Sequence, residues 1–233
     1  MARLKRLVVS RLPHHVSQRA VAGGVAFVDT ADRQAFVSAL RSCSAEHDVT
    51  VLAYVLLNDQ VQLVLVPDRA DSLGRMMQSL TRQYVGPFNR KHGRSGALWQ
   101  SRFCSAPVQS STHLLSCVLY VEQAPLRAGF HGAAFEYPWS SACHHAGLRS
   151  EGWLGAMPAD SAYWALGNTP FERDAAYRHR LEQPLAATEI QNIESSVMKG
   201  WALGSGQFLA DIGASAGRRS TPAPRGRPPL GRR

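Results

Sequence analysis

The alternation of apolar and polar positions predicts a helix followed by a β-hairpin in the first third of the chain. Within residues 32–47 apolar side chains recur every three to four positions, the period of an amphipathic helix, and Thr30 is a candidate N-terminal cap. The runs TVLAYVLL (50–57) and VQLVLV (61–66) are rich in β-branched residues and lie on either side of a short polar stretch. This pattern predicts a hairpin whose second strand begins at Gln60.

The next segment predicts a second helix, an extended segment and a third helix. The second helix covers residues 73–90, although Gly86-Pro87 can kink or shorten it, and the turn-like HGRSG at 92–96 closes it. Residues 98–108 (LWQSRFCSAPV) then form a strand or extended segment. The third helix is expected to run to about Gln123, and its candidate caps are Ser110, Ser111 and Thr112.

Together with a first strand near residues 15–19, these elements give the order β-α-β-β-α-β-α. That order predicts an α+β fold of the ferredoxin-like type, an antiparallel sheet with helices packed on one face. Residues 1–149 would form this domain and residues 150–213 a small helical C-terminal extension. Residues 214–233 are rich in Arg, Pro and Gly and poor in apolar residues, which predicts a disordered basic tail.

The charge of the chain indicates a polyanionic partner. The 233 residues include 26 Lys and Arg against 17 Asp and Glu, a formal net charge of +9. Residues 1–28, 72–121 and 218–233 contain no acid at all. Such blocks can neutralise phosphates, while the aromatic residues of the middle block can stack on unpaired bases. The alternative is a solvated basic surface over core aromatics, and for Trp99 and Phe103 a core position is favoured.

Several other classes of protein are excluded or disfavoured. The four cysteines are widely spaced, without CxxC or CxH, so we expect reduced thiols and neither a zinc ribbon nor a redox pair. The apolar runs fall well short of the roughly 20 residues that cross a bilayer. The basic N-terminus lacks the apolar core of a secretory signal. These features predict a cytoplasmic protein with no membrane partner.

Five blocks of sequence resemble the REP-associated branch of the single-tyrosine HUH transposases. They occur in order as HHVSQR (14–19), YVLLNDQVQLVL (54–65), FNRKHGRSGALWQSRF (88–103), YVEQAPLRAG (120–129) and EYPWSS (136–141). The resemblance implies a ferredoxin-like nuclease of DNA transposition and recombination that recognises hairpins of single-stranded DNA and cuts beside them. It also implies a tyrosine nucleophile and a divalent cation, Mg²⁺ or Mn²⁺.

Carried over position by position, the resemblance places the nucleophile on Tyr120. The two strand histidines that hold the metal in the family fall on Gln60 and Gln62, and the third ligand position falls on Ala124. An amide oxygen is a weaker ligand than an imidazole or a carboxylate, and alanine offers none. We therefore expect no metal ligands and no cofactor, and strand cleavage that is weak or absent.

The DNA-binding positions are better retained than the catalytic ones. The resemblance places a set of basic residues on segments that flank the family's groove: Arg82, Arg90, Lys91, Arg94, Arg102 and Arg127. In the tail, PRGRPP (224–229) is similar to an AT-hook core, in which Arg225 and Arg227 would follow a narrow minor groove. A nonspecific electrostatic arm is the alternative for this tail.

Two functions remain open from the sequence. The first is a DNA-binding protein of the transposase family that recognises REP-like hairpins with little or no cleavage. The second is an active single-strand transposase or endonuclease that forms a 5′-phosphotyrosine through Tyr120. DNA is the partner in both, and the choice between monomer and dimer is open.

Overall fold

A four-stranded antiparallel sheet forms the centre of the protein, whose computed structural model describes residues 6–222. Its strands are β1 (His14–Arg19), β2 (Val49–Leu57), β3 (Gln60–Pro67) and β4 (Cys104–Pro107), in the order β2-β3-β1-β4. The hairpin turn places Gln60 opposite Leu57, and β1 pairs with β3 so that Ser17 lies opposite Gln62. The predicted hairpin and the start of its second strand at Gln60 are confirmed.

Two long helices cover one face of the sheet. They are α1 (Thr30–Glu46) and α2 (Ser72–Lys91), whose buried side chains, such as Phe36 and Met76, join Val16 and Leu63 of the strands in one core. The predicted cap of α1 is wrong by one residue. Asp29, not Thr30, is the N-cap, because its carboxylate accepts the Asp32 amide at 2.9 Å in a reciprocal capping box.

Helix α2 continues through Gly86-Pro87, so the predicted shortening does not occur. Proline removes one backbone donor, and its ring crowds the residue before it. Gly86 precedes the proline and has no Cβ for the ring to crowd. The helix then ends at Lys91, close to the predicted end.

The opposite face of the sheet is also covered. Helix α3 (Leu114–Glu122) packs there with side chains of β2 and β3 such as Val55 and Val64. The predicted caps of α3 are wrong, since His113 is the N-cap and makes no side-chain cap bond. Ser110 donates instead to Asp160, and the Thr112 hydroxyl pairs with the His113 ring at 2.7 Å.

Further helices follow α3 and complete this second layer. Short helices α4 (Ala124–Arg127) and α5 (Ala142–His145) precede α6 (Pro170–Glu182), α7 (Ala187–Lys199) and α8 (Gly206–Ser215). Tyr177 of α6 and Ile193 of α7 are buried in the same core as α3. The α+β ferredoxin-like fold is therefore confirmed, with α1 and α2 on one face as expected and with the helical extension on the other.

Glu122 joins the extension to the sheet domain from a fully buried position. Its carboxylate accepts hydrogen bonds from Ser141, from the His145 ring at 2.7 Å and from the Tyr177 hydroxyl at 2.6 Å. A buried carboxylate is tolerated only when it is hydrogen-bonded in this way. The boundary predicted after residue 149 stays a prediction. Of the predicted tail, residues 214–233, the first part is described: α8 extends to Ser215, and Arg218 donates to the Gly200 carbonyl. The part from residue 223 onward lies outside the described residues. Within residues 6–222 no helix is both long and apolar enough to span a bilayer.

Candidate nucleic-acid site

Tyr120 lies on α3 with its ring against the sheet and its hydroxyl directed to α7. The residue is 5% exposed. The hydroxyl donates to Glu194 Oε1 at 3.1 Å, and Glu194 is exposed on α7. Burial is the largest cause that raises the pKa of Tyr120 to about 12, with the charge of Arg127 opposing the shift and the Glu194 carboxylate adding to it. The phenol is therefore protonated at neutral pH.

The two glutamines lie on the face of the sheet that carries α3. Residues two apart on a strand point the same way, so Gln60 and Gln62 share this face with Ser17 and His15 of the neighbouring strand. Gln60 Nε2 donates to Ser17 Oγ at 3.2 Å, and Gln62 Oε1 lies 3.1 Å from His15 Nε2. The His15 ring meets the Tyr120 ring edge-on, with centroids 5.6 Å apart. Tyr120 is thus linked to Gln62 through His15, and Gln60 lies two positions away on the same strand. We call these residues, together with Ser17, Arg127 and Glu194, the tyrosine site.

His15 is held neutral in this site. Burial lowers its pKa to about 4, although the hydrogen bond with Gln62 opposes the shift. The Nδ1 atom of the ring is buried and has no hydrogen-bond partner among the described residues. The neutral His15 ring donates its Nε2–H to Gln62 Oε1. One of the two glutamine amide oxygens is therefore already engaged in a hydrogen bond.

The donors of the tyrosine site do not fit a divalent cation. A hard cation requires several oxygen ligands, usually with carboxylates among them. Gln62 Oε1 is engaged by His15, and Glu194 accepts the Tyr120 hydroxyl. Arg127 also brings a fixed positive charge, because its guanidinium carbon lies 4.0 Å from the centre of the Tyr120 ring. The cation expected for the family therefore has no suitable set of ligands in this site.

The third family position also lacks a ligand. Ala124 is buried at the start of α4, since α3 ends at Glu122. The adjacent polar residue, Gln123, turns away and donates to main-chain carbonyls at the end of α6, including that of Gln183 at 2.7 Å. Its amide therefore attaches the extension to α3 and does not replace the missing ligand.

The predicted DNA-binding arginines fall into separate groups. Arg127 lies on the Tyr120 ring and donates to the Tyr120 carbonyl. Arg82 and Arg102 line a cavity of about 540 Å³ between α2 and the segment before β4, together with Trp99 and Phe103. The others lie near the end of α2, where Arg90 is exposed and Arg94 packs over the Phe88 ring. Arg225 and Arg227 lie outside the described residues.

Lys91 differs from the other predicted DNA contacts because two carboxylates neutralise it. Its Nζ lies 2.8 Å from Asp29 and 2.7 Å from Asp32, and the His92 ring contacts Asp32 at 2.9 Å. The ion pairs lower the pKa of Asp32 to about 2 against the effect of burial. Asp29, Asp32 and His92 lie close enough together to hold a metal ion. The Lys91 ammonium already supplies the positive charge between the two carboxylates. A role of Lys91 in DNA binding stays a prediction, and the contacts favour a link between α1 and α2.

Comparison with known proteins supports the fold. No protein-family model and no curated protein matches the chain. Among solved structures, a REP-associated tyrosine transposase bound to a REP hairpin matches with a TM-score of 0.54 and 17% identity, over 68% of this chain and 94% of that chain. A provisionally assigned transposase from Deinococcus radiodurans R1 matches with a TM-score of 0.37 and 18% identity, over 57% of this chain and all of that chain. The first match confirms the fold that the sequence resemblance implied.

Sequence reasoning missed three residues of the tyrosine site, namely His15, Ser17 and Glu194. The two strand residues could have been found from the sequence. Alternate residues of a strand point to the same face, and once β1 is aligned with β3, positions 15 and 17 lie on the face that carries Gln62. Glu194 carries no such signal, because it reaches Tyr120 from 74 positions away along the chain.

Proposed function

We propose that this chain is a DNA-binding member of the REP-associated tyrosine transposase family that recognises hairpins of single-stranded DNA with little or no cleavage. The observation that carries the proposal is the state of the tyrosine site. Tyr120, Gln60 and Gln62 fall on the positions that the family resemblance assigns to the nucleophile and two metal ligands, and each side chain has a hydrogen-bond partner within the protein. The shared fold and the basic, acid-free segments support retained binding.

The chemistry available at this site explains why cleavage would be slow. Polarisation of a phosphoryl oxygen by a metal is worth several kcal/mol, and each ~1.4 kcal/mol is about tenfold in rate. With its pKa raised to about 12, the Tyr120 phenol also needs a base to become a nucleophile. Binding needs neither the metal nor the base, so it can persist where cleavage has declined.

One contact favours the alternative function, an active enzyme. The Glu194 carboxylate accepts the Tyr120 hydroxyl at 3.1 Å, which is within reach for a general base. Arg127, stacked on the same ring, would then provide positive charge near a phosphate. In this alternative Tyr120 attacks the phosphorus, the 3′-oxygen leaves, and a 5′-phosphotyrosine results.

A single assay separates the two functions. Labelled DNA hairpins with flanking single strands are incubated with the protein and Mg²⁺ or Mn²⁺, and products are resolved on a denaturing gel. The proposal expects retention of hairpin DNA on a native gel and no covalent adduct on the denaturing gel. An adduct formed by the wild type and absent from Tyr120→Phe would establish the enzyme instead.

A further inference from the structure

A cavity of about 540 Å³ lies between α1 and the segment 138–153, on the other face of the sheet from Tyr120. Three aromatic side chains line it, those of Tyr54, Trp139 and Trp153. Its volume falls within the range of about 300–1,000 Å³ that is usual for small-molecule sites. We call it the tryptophan cavity.

The segment that forms one wall of the cavity is fixed to the edge of the sheet at both of its ends. The Leu56 amide of β2 donates to the Trp139 carbonyl at 2.9 Å, and the Gly155 amide donates to the Val51 carbonyl at 2.9 Å. A ligand would therefore enter a site whose walls are already in place. Binding to such a site loses less free energy in the ordering of loops.

The aromatic residues offer both flat surface and hydrogen-bond donors. The rings of Tyr54 and Trp153 lie 5.6 Å apart at an angle of 32°. The indole N–H groups of Trp139 and Trp153 have no hydrogen-bond partner among the described residues, and unlike that of Trp99 neither is buried. A planar ligand that carries an acceptor can therefore pack against the rings and receive a hydrogen bond in the cavity.

The cavity has one cation without a counter-ion. Glu151 is the one acid of residues 6–222 that lines it, and its carboxylate accepts the Tyr54 hydroxyl at 3.0 Å and pairs with Arg149. Arg41 lines the cavity from α1, is exposed, and forms no ion pair within the described part of the chain. The charge that remains is positive, which favours an anionic ligand.

We propose that the tryptophan cavity binds a small planar anion, a ring that carries a phosphate or a carboxylate, with the ring against Trp139 and Trp153 and the anion on Arg41. This site goes beyond the function proposed above and does not rest on it, since no residue of the tyrosine site lines the cavity. The bound molecule would join α1 to the segment 138–153. It would therefore stabilise the folded chain as well as occupy the cavity.

Two pairs of small molecules and one ion test the site by isothermal titration calorimetry with the full chain. AMP is compared with adenosine, indole-3-acetate with indole-3-acetamide, and inorganic phosphate is the anion without a ring. We expect at least one anionic ring to bind about tenfold more tightly than its neutral counterpart and than phosphate, because hydrogen bonds to charged groups are worth about that much. The pair that shows the difference identifies a phosphate or a carboxylate. No difference in either pair would overturn the proposal.

Arg41→Gln separates the charge from the ring. This variant should bind the anionic probe about tenfold more weakly and the neutral counterpart with unchanged affinity. Arg75→Gln is the matched control, because Arg75 is exposed on α2, pairs with Asp71 at 2.9 Å and does not line the cavity. An equal loss in the two variants would contradict a contact between the anion and Arg41.

A glycine offers a way to fill the cavity while keeping its charges. Gly152 lines the cavity, and a Cβ built on it meets no atom within 4 Å. Gly152→Leu should weaken binding of the anionic probe at least about tenfold, because the new side chain competes with the ring for space. Gly206→Leu is the control, since its Cβ also meets no atom within 4 Å and it lies on α8, away from the cavity. Unchanged binding by Gly152→Leu would place the probe elsewhere and overturn the proposal.

Stem-loop DNA distinguishes a free ligand from a nucleotide of a bound strand. The cavity and Tyr120 lie on different faces of the sheet, so we expect saturating stem-loop DNA to leave the affinity for the small probe unchanged. Displacement of the probe would overturn a separate ligand site and would extend the DNA-binding surface to this face. If the probe binds and no stem-loop does, the ligand site is supported and the function proposed above fails.

Discussion

The tyrosine site lies beside a groove of three adjoining cavities along β4, all of them lined by Arg102, and we call it the edge groove. The two regions differ in the groups that line them. In the tyrosine site the amide of Gln60, the amide of Gln62 and the hydroxyl of Tyr120 each have a protein partner. The edge groove is lined by Arg102, Lys199 and further arginines, and no aspartate or glutamate of residues 6–222 lines it. The hydrogen bonds within the tyrosine site stabilise the fold, whereas the positive charge that lines the edge groove suits an anionic ligand.

The largest expected effect comes from restoring metal ligands to the tyrosine site. Gln60→His and Gln62→His together with Ala124→Glu should raise covalent adduct formation with hairpin DNA by roughly 10³-fold in Mn²⁺, because metal polarisation is worth several kcal/mol. Denaturing gels with and without EDTA measure the change. The same variant carrying Tyr120→Phe is the control, and an unchanged adduct level in the tyrosine-containing variant would mean that more than the ligands has been lost.

Acid should act on the tyrosine site before it acts on the groove. Burial lowers the pKa values of His14 and His15 to about 4, below the ordinary 6.5 that applies when the chain is unfolded. The stabilisation from each neutral ring is therefore complete above pH 6.5 and is lost as the pH falls toward 4. At pH 5 each histidine should cost up to about 2 kcal/mol of unfolding free energy.

Chemical denaturation at pH 7.5 and pH 5 tests this titration, and His15→Gln serves as the comparison. That variant should lose about half of the pH dependence that these two histidines contribute, since one of the two rings with a pKa lowered to about 4 is gone. No histidine lines the edge groove within the described residues. An identical pH dependence in both proteins would show that His15 does not titrate in this range.

Removing one cation from the groove should have an intermediate effect. Arg102→Ala is expected to weaken hairpin binding by about tenfold. It should also reduce the slope of log K against log salt concentration by about one, the value for one lost phosphate contact. Arg75→Ala is the control, because Arg75 is exposed on α2 and pairs with Asp71 at 2.9 Å. Fluorescence anisotropy measures the affinity of both variants at salt concentrations from about 50 to about 200 mM, a roughly fourfold range over which such contacts are resolved. Equal slopes of log K against log salt concentration for the two variants would exclude a phosphate on Arg102.

The smallest effect is expected at the nucleophile position itself. Tyr120→Phe removes a hydroxyl that is already bonded to Glu194, so hairpin affinity should change by less than about threefold, under 1 kcal/mol. Anisotropy titration of the wild type and this variant measures the change. A tenfold loss would place the Tyr120 hydroxyl in direct contact with DNA and would bring the two regions into one binding surface.

Local sequence was sufficient for the core elements of the fold but not for their ends. The period of apolar residues located α1, the hairpin and α2, since those patterns are repeated over many residues. The caps were mispredicted at Thr30 and at Ser110 to Thr112, because several neighbouring hydroxyls and carboxylates compete for the same few amides. At α3 that competition is decided by partners such as Asp160, which is 50 positions away from Ser110.

The sequence by itself determined the α+β sheet domain, the tyrosine, the glutamines at positions where the family it resembles has histidines, and the excess of positive charge. Only the tertiary structure decided that His15 engages Gln62, that Glu194 binds the Tyr120 hydroxyl, that Lys91 is neutralised, and that Trp99 both packs in the core and lines a cavity. The physical reason is the distance along the chain over which each effect acts. Periodicity and residue type act between neighbours, whereas burial, ion pairing and cavities depend on which distant segments the fold brings within a few ångströms.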